Sequence, residues 1–230
     1  MKGRKVNLSY RIISIGTLSR NRFWNETAPK RSAHATCTLI QDDDIRILVD
    51  PALPESLLLH YLDERAGIKP EAIDLVFLTT FRPAHRRGLA LFERATWRMH
   101  EAEIAAVGHH LAEMAERLSN DEDTDTPRIL EQERAILERI DPAEDKLTRR
   151  VDLFPSPGVS PGSAGLLLTL PQRTVIVAGD AVATHEYYAA GRVYEQAAEV
   201  ERAARSFAEI VEIADEIVPG HDNVFHTGTS

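Results

Sequence analysis

The chain has 230 residues, 43% of them hydrophobic, enough to bury a full core as one large domain over residues 1–230 or as two intimately packed halves. Its formal charge of −9 argues against a general nucleic-acid or anionic-membrane binder, because such proteins need a basic face to displace counterions. A single cysteine, Cys37, excludes an intrachain disulfide and a thiolate metal cluster and fits a reducing cytoplasm.

In chain order, the opening MKGRKVNLSYRIISIG lacks the apolar block and small-residue cleavage site of a signal peptide, and no run approaches the roughly 18 apolar residues of a spanning helix. The expectation is a soluble, cytoplasmic protein. VNLSYRIISIG (6–16), ATCTLI (35–40) and IRILVDP (45–51) are rich in β-branched residues and bounded by turn formers, so they predict strands, with QDDD as the hairpin between the last two. Pro54 opens and Gly67 closes a helix with Leu57, Leu58, Tyr61 and Leu62 on one stripe. IDLVFLT (73–79) and ATWRM (95–99) predict strands. Ile104, Val107, Leu111 and Met114 recur on one face of a long helix, which places His109 and His110 on its surface. SNDEDTDTP (119–127) is a solvated acidic loop, and RILEQERAILERI (128–140) a second helix. Sheet returns with VDLF, is broken by a Pro/Gly/Ser loop at 155–163, and resumes through TVIVAGD (174–180). A helix from about Glu195 to Ala214, the strand EIVPG and a tail from His221 complete the chain. This order predicts an α+β fold with sheets packed together and helices outside.

Four loops, 79–88, 155–163, 179–188 and 219–223, follow or flank apolar strands, where a rigid sheet positions side chains for chemistry. They offer Arg82, His85, Asp180 and His221. Two imidazoles and a carboxylate suit zinc, iron or manganese.

The stretches ILVDP, VFLTTFRPAHRRG, PSPGVSPGSAGLLL, VIVAGDAV and IVPGHD resemble, in order and spacing, the landmark motifs of the metallo-β-lactamase superfamily over about residues 35–223. The resemblance implies an αββα four-layer sandwich with a dinuclear site on one edge. In the family motif Thr-His-x-His-x-Asp-His, the first histidine corresponds to Thr80, the second to Arg82, the aspartate to Ala84 and the last histidine to His85. The histidine of the next landmark corresponds to Val159, the bridging aspartate to Asp180 and the terminal histidine to His221. The first metal has therefore lost its private ligands, whereas three of the second metal's four protein ligands remain.

Two readings follow. In one, a single divalent ion sits on His85, Asp180 and His221, and the protein hydrolyses an ester, lactone, thioester or phosphoester, with Asp180 orienting water and Arg82 stabilising developing negative charge. In the other, the site is metal-free. Arg82, which cannot shed its proton, neutralises Asp180 and repels cations, and the cationic pocket around Arg82 and His85 holds a small anionic ligand or serves a partner. His34, His185 and Tyr188 are further candidates for substrate contact, each with a packing or structural alternative. Arg86 and Arg87 have the choice of anionic substrate groups or surface salt bridges. A homodimer is compatible with the amphipathic helices.

Overall fold

The computed structural model describes residues 8–118 and 125–228. Residues 6–7 of the predicted opening strand and residues 119–124 of the acidic run lie outside the described residues. Two sheets form. The first takes β1 (Leu8–Ser14), β2 (Cys37–Asp42), β3 (Ile45–Val49), β4 (Leu75–Leu78), β5 (Thr96–Met99) and β6 (Asp141–Pro142) in sequential order. The second takes β7 (Val151–Pro155), β8 (Ala164–Leu170), β9 (Arg173–Gly179), β10 (Glu216–Pro219) and β11 (Phe225–His226), again in order. β1 to β3 and β7 to β9 are antiparallel, while β3, β4, β5 and β6 are parallel neighbours, as are β9 and β10.

Strand periodicity explains the layers. On β9, Val175 and Val177 point into an inter-sheet core with Leu166, Leu168, Ile47 and Phe77, whereas Ile176 and Ala178 point the other way. Both faces of the strand are covered, so it is apolar throughout rather than alternating. Helices α1 (Glu55–Ala66), α3 (Glu101–Leu118) and α4 (Asp125–Glu138) cover the outer face of the first sheet, with the short α2 (Pro83–Arg86) in the connection after β4. On the second sheet α5 (His185–Ala189) follows β9, and α6 (Val200–Ile213) buries Ile210 against Ile176 and Ile217. This is the expected αββα arrangement. No helix among the described residues is long and apolar enough to cross a membrane.

Three details depart from expectation. Leu57, placed on the buried stripe of α1, is 39% exposed, and Leu58 and Leu62 carry the contact. The last helix starts at Val200 rather than near Glu195. The amides of Ala198 and Glu199 instead donate to the carbonyls of Val159 and Gly158, which ties that segment to the loop before β8. The tail from His221 turns back as β11, pairing Ile217 with Phe225.

Candidate metal centre

The C-terminal ends of β4, β9 and β10 meet at one edge of the sandwich, and each delivers one side chain of the cluster. After β4 the chain turns at Thr79 and Thr80, Pro83 starts α2, and one turn later His85 points inward, fully buried. After β9, Gly179 adopts φ 53° and ψ −145°, a conformation open to glycine because it has no side chain; a Cβ there would also stand 2.7 Å from Thr79 Oγ1. Asp180 follows. After β10, Gly220 precedes His221, and a Cβ on it would lie 2.8 Å from Asp180 Oδ1. Gly220 thus clears the space in which Asp180 sits, and Gly179 lets the chain pass beside Thr79.

The ligand atoms of His85, Asp180 and His221 all lie within 4.8 Å of one another. His221 Nε2 is 3.0 Å and His85 Nε2 3.3 Å from Asp180 Oδ1. Each imidazole is turned by its other nitrogen. His85 Nδ1 lies 3.0 Å from Asp50 Oδ2, and His221 Nδ1 donates to the His34 carbonyl at 2.9 Å. A histidine that spends Nδ1–H on an outer acceptor aims Nε2 inward, where that nitrogen can bind a metal once it gives up any proton it carries. The contact between His85 and Asp180 is close but misaligned: His85 Nε2 and Asp180 Oδ1 are buried with no hydrogen-bond partner. Orphaned buried polar atoms are rare and call for an explanation such as an ion. The donor set therefore fits one divalent metal.

Arg82 occupies the other side of the carboxylate. Its Nη1 donates to Asp180 Oδ2 at 3.0 Å, and its Nη2 donates to the carbonyls of Val159 and Gln196 at 3.0 and 3.2 Å. The two oxygens of Asp180 are thus divided, Oδ2 to the guanidinium and Oδ1 to the imidazoles. The pair expected from sequence forms without consuming the oxygen that faces the histidines. Burial would raise the Asp180 carboxyl, but the His85 and His221 imidazoles outweigh it and hold it well below the ordinary 3.8. Burial likewise opposes the His85 imidazolium, yet Asp180 and Asp50 prevail and raise it from 6.5 to about 10.

A family model for the metallo-beta-lactamase superfamily matches residues 33–221. The chain belongs to that superfamily. No curated protein matches it. Among solved structures, a Thermotoga maritima protein described as a metallo-beta-lactamase superposes with a TM-score of 0.67 at 22% identity, over 95% of this chain and 99% of that one. AidC, a dizinc quorum-quenching lactonase, gives 0.67 at 15% identity, over 85% and 76% of the two chains. A B. thuringiensis AiiA mutant with N-decanoyl-L-homoserine bound at its active site gives 0.64 at 21% identity, over 95% and 94%. At these identities the likeness shows the fold. Of the residues compared with the superfamily motifs, His85, Asp180 and His221 come together in the structure. Thr80 is bonded to buried Glu103 at 2.7 Å, and Val159 is buried beside Tyr187 and Tyr194.

The remaining candidates are placed differently. The His34 ring turns to the Ile15 and Ser32 carbonyls, at 3.2 and 3.4 Å, and lines a separate cavity with Leu57 and Tyr61; its backbone carbonyl, not its ring, meets the centre. His185 is exposed and packs edge-on against Phe225, 4.9 Å between centroids, while Tyr188 stacks on the same ring at 4.8 Å. His185, Tyr188 and Phe225 thus form one aromatic patch. Arg86 is not on the surface: it is buried, donates to the Phe81 carbonyl at 2.7 Å and pairs with Glu133. Arg87 donates to Ser32 Oγ at 2.8 Å.

Sequence reasoning missed Asp50, Glu103 and Tyr194. Asp50 stands at φ 49° just after β3, a left-handed position that aspartate tolerates better than most residues. From there it accepts from the Thr79 amide and hydroxyl at 2.9 and 2.7 Å and holds His85. The signal was present in ILVDP, quoted as a landmark but given no role. Glu103 accepts from Thr80, Phe81, Ser160 and Gly162, binding the loops after β4 and β7 to the first turn of α3. Tyr194 lies against the cluster, its ring centroid 6.4 Å from that of His221 and 6.0 Å from the Arg82 guanidinium. Asp50→Ala removes the acceptor for two Thr79 donors and His85; it is expected to cost about 2–4 kcal/mol in denaturant unfolding. It should also weaken zinc binding by roughly 10–100-fold in a competitive chelator titration.

Proposed function

We propose that this superfamily member is a metal-dependent hydrolase of a small ester-type molecule, an ester, lactone, thioester or phosphoester, with one divalent ion held by His85, Asp180 and His221. The observation that carries the reading is the convergence of His85 Nε2, His221 Nε2 and Asp180 Oδ1, two of them buried without hydrogen-bond partners. Zinc, iron and manganese all accept such a donor set. When bound, the ion supplies Lewis acidity toward the scissile group and lowers the pKa of water.

The chain's own residues do the rest. Asp180 offers carboxylate lone pairs to the attacking water and orients it toward the scissile carbon or phosphorus. Water adds there, the bond to the leaving oxygen or sulfur breaks, and the proton lost by water ends on the leaving group. Arg82 places a fixed positive charge beside Asp180, where it stabilises negative charge developing on the substrate. Asp50 and the His34 carbonyl keep the two imidazoles aimed inward.

A second reading is supported by the charge balance. Asp50 and Asp180 carry two negative charges and Arg82 one positive, so a proton on His85 closes the sum without an ion. On that reading the protein is a metal-free binder of small anions. Metal analysis of protein purified without added ions, followed by assay on ester, lactone, thioester and phosphoester panels, separates the two. The hydrolase reading expects about one equivalent of metal, lost in His85→Ala and His221→Ala, with turnover lost in parallel. Metal-loaded protein inert on every panel would sink it.

A further inference from the structure

We infer that the cavity adjoining the metal centre binds a flexible aliphatic chain, so that the substrate is a medium-chain acyl ester, lactone or thioester; this deepens the hydrolase reading and rests on it. The cavity, about 670 Å³, lies within the size range of small-molecule sites. Its body is formed by the facing sides of α3 and α4, through Val107, Leu111, Met114, Ile129 and Leu130. Thr80, Arg82 and Val159 line its inner end, and Arg82 links it to the candidate ligands, its guanidinium reaching Asp180.

Apart from exposed His110, the polar side chains of the lining are already engaged. Thr80 and Ser160 donate to Glu103 at 2.7 and 2.8 Å, and Arg86 is engaged by Phe81 and Glu133. A polar ligand entering the body of the cavity would find few free partners and would lose hydration, whereas methylene groups would gain by leaving water. α3 carries its apolar stripe here, yet Val107 and Met114 remain only half-buried. Chain length is thus the feature of a substrate that this cavity can measure, at about 0.8 kcal/mol per buried methylene, or roughly fourfold.

Two measurements test this. In the first, p-nitrophenyl acetate, butyrate, hexanoate, octanoate and decanoate are compared on the metal-loaded enzyme. kcat/KM should climb two- to fourfold per methylene before levelling, and Ala106→Phe, which fills the cavity from α3, should flatten the climb. In the second, calorimetry follows binding of N-methyldecanamide, an uncharged amide that resists hydrolysis, with N-methylacetamide as the control. The decanoyl amide should bind at least 30-fold more tightly than the control, and Ala106→Phe should weaken it tenfold or more, with circular dichroism confirming that the variant is folded. Equal binding of the two amides, or of the decanoyl amide to both proteins, overturns the tail pocket even if short esters are hydrolysed. Chain-length-dependent amide binding that Ala106→Phe abolishes supports the pocket even if no ester is turned over, in which case the hydrolase reading fails alone.

Discussion

Arg82→Ala should unfold the metal-free protein at markedly lower temperature and, at the same time, tighten its grip on zinc. The first effect arises because Asp180 is only 1% exposed at its side chain and would be left with a buried oxygen facing no cation. Breaking a fully buried ion pair from one side costs about 3–5 kcal/mol; Arg82 is 31% exposed, so about 2–3 kcal/mol is expected. For a chain of this length that corresponds to a fall of roughly 4–12 °C in Tm. The second effect follows from Coulomb's law: a guanidinium a few ångströms from a divalent ion opposes its binding, and removing it should raise zinc affinity on the order of tenfold or more. Saturating zinc should then restore most of the lost Tm. Arg82→Lys discriminates further, since an ammonium keeps the charge but cannot fork to Asp180, Val159 and Gln196 together. If Arg82→Ala melts like the parent and binds zinc no better, the division of Asp180 between arginine and imidazoles has no energetic content.

Metal-free protein should be most stable in mildly acidic solution, and zinc should move that optimum upward. His85 has a folded pKa of about 10 against an ordinary 6.5. Its contribution is therefore complete below pH 6.5 and is lost as pH rises toward 10. Asp180 is shifted the other way, well below 3.8. Its contribution is present above that value and is lost as pH falls. Together they place the optimum between about pH 4 and 6.5. Zinc must displace the proton on His85, so its apparent affinity should rise close to tenfold per pH unit up to about 10. Thermal melts across pH in chelator and in zinc check both statements. A chelated protein whose Tm is flat from pH 6.5 to 10 would show that His85 is not held as an imidazolium by Asp50 and Asp180.

Much of the layering was legible in the sequence because it depends on local periodicity. The β-branched runs IRILV and TVIVA and the three- and four-residue spacing of Ile104, Val107, Leu111 and Met114 describe segments that pack on the core; the strand interiors and Leu111 are buried, while Ile104, Val107 and Met114 are partly so. Short elements were less legible. α2, α5 and β11 span five residues or fewer, and such pieces form through tertiary contacts rather than pattern. His85, Asp180 and His221 were offered by loops at strand ends and grouped by the motif landmarks, since 136 positions separate the first from the last and no spacing rule links them. His34, His185 and Tyr188 were proposed because their loops come near the site; the direction of a side chain is set by packing, and the His34 ring turns to the Ile15 and Ser32 carbonyls while His185 and Tyr188 pack on Phe225.

What the sequence determined by itself is the set of layers, the candidate donors His85, Asp180 and His221, and an arginine at position 82. The tertiary structure alone decided how these share one carboxylate. Asp180 gives Oδ2 to Arg82 and leaves Oδ1 between two imidazoles because the ends of β4, β9 and β10 converge, and because Gly220 leaves the space open. Hydrogen-bond direction depends on tenths of an ångström between residues far apart in the chain, a scale that residue identity and spacing do not encode.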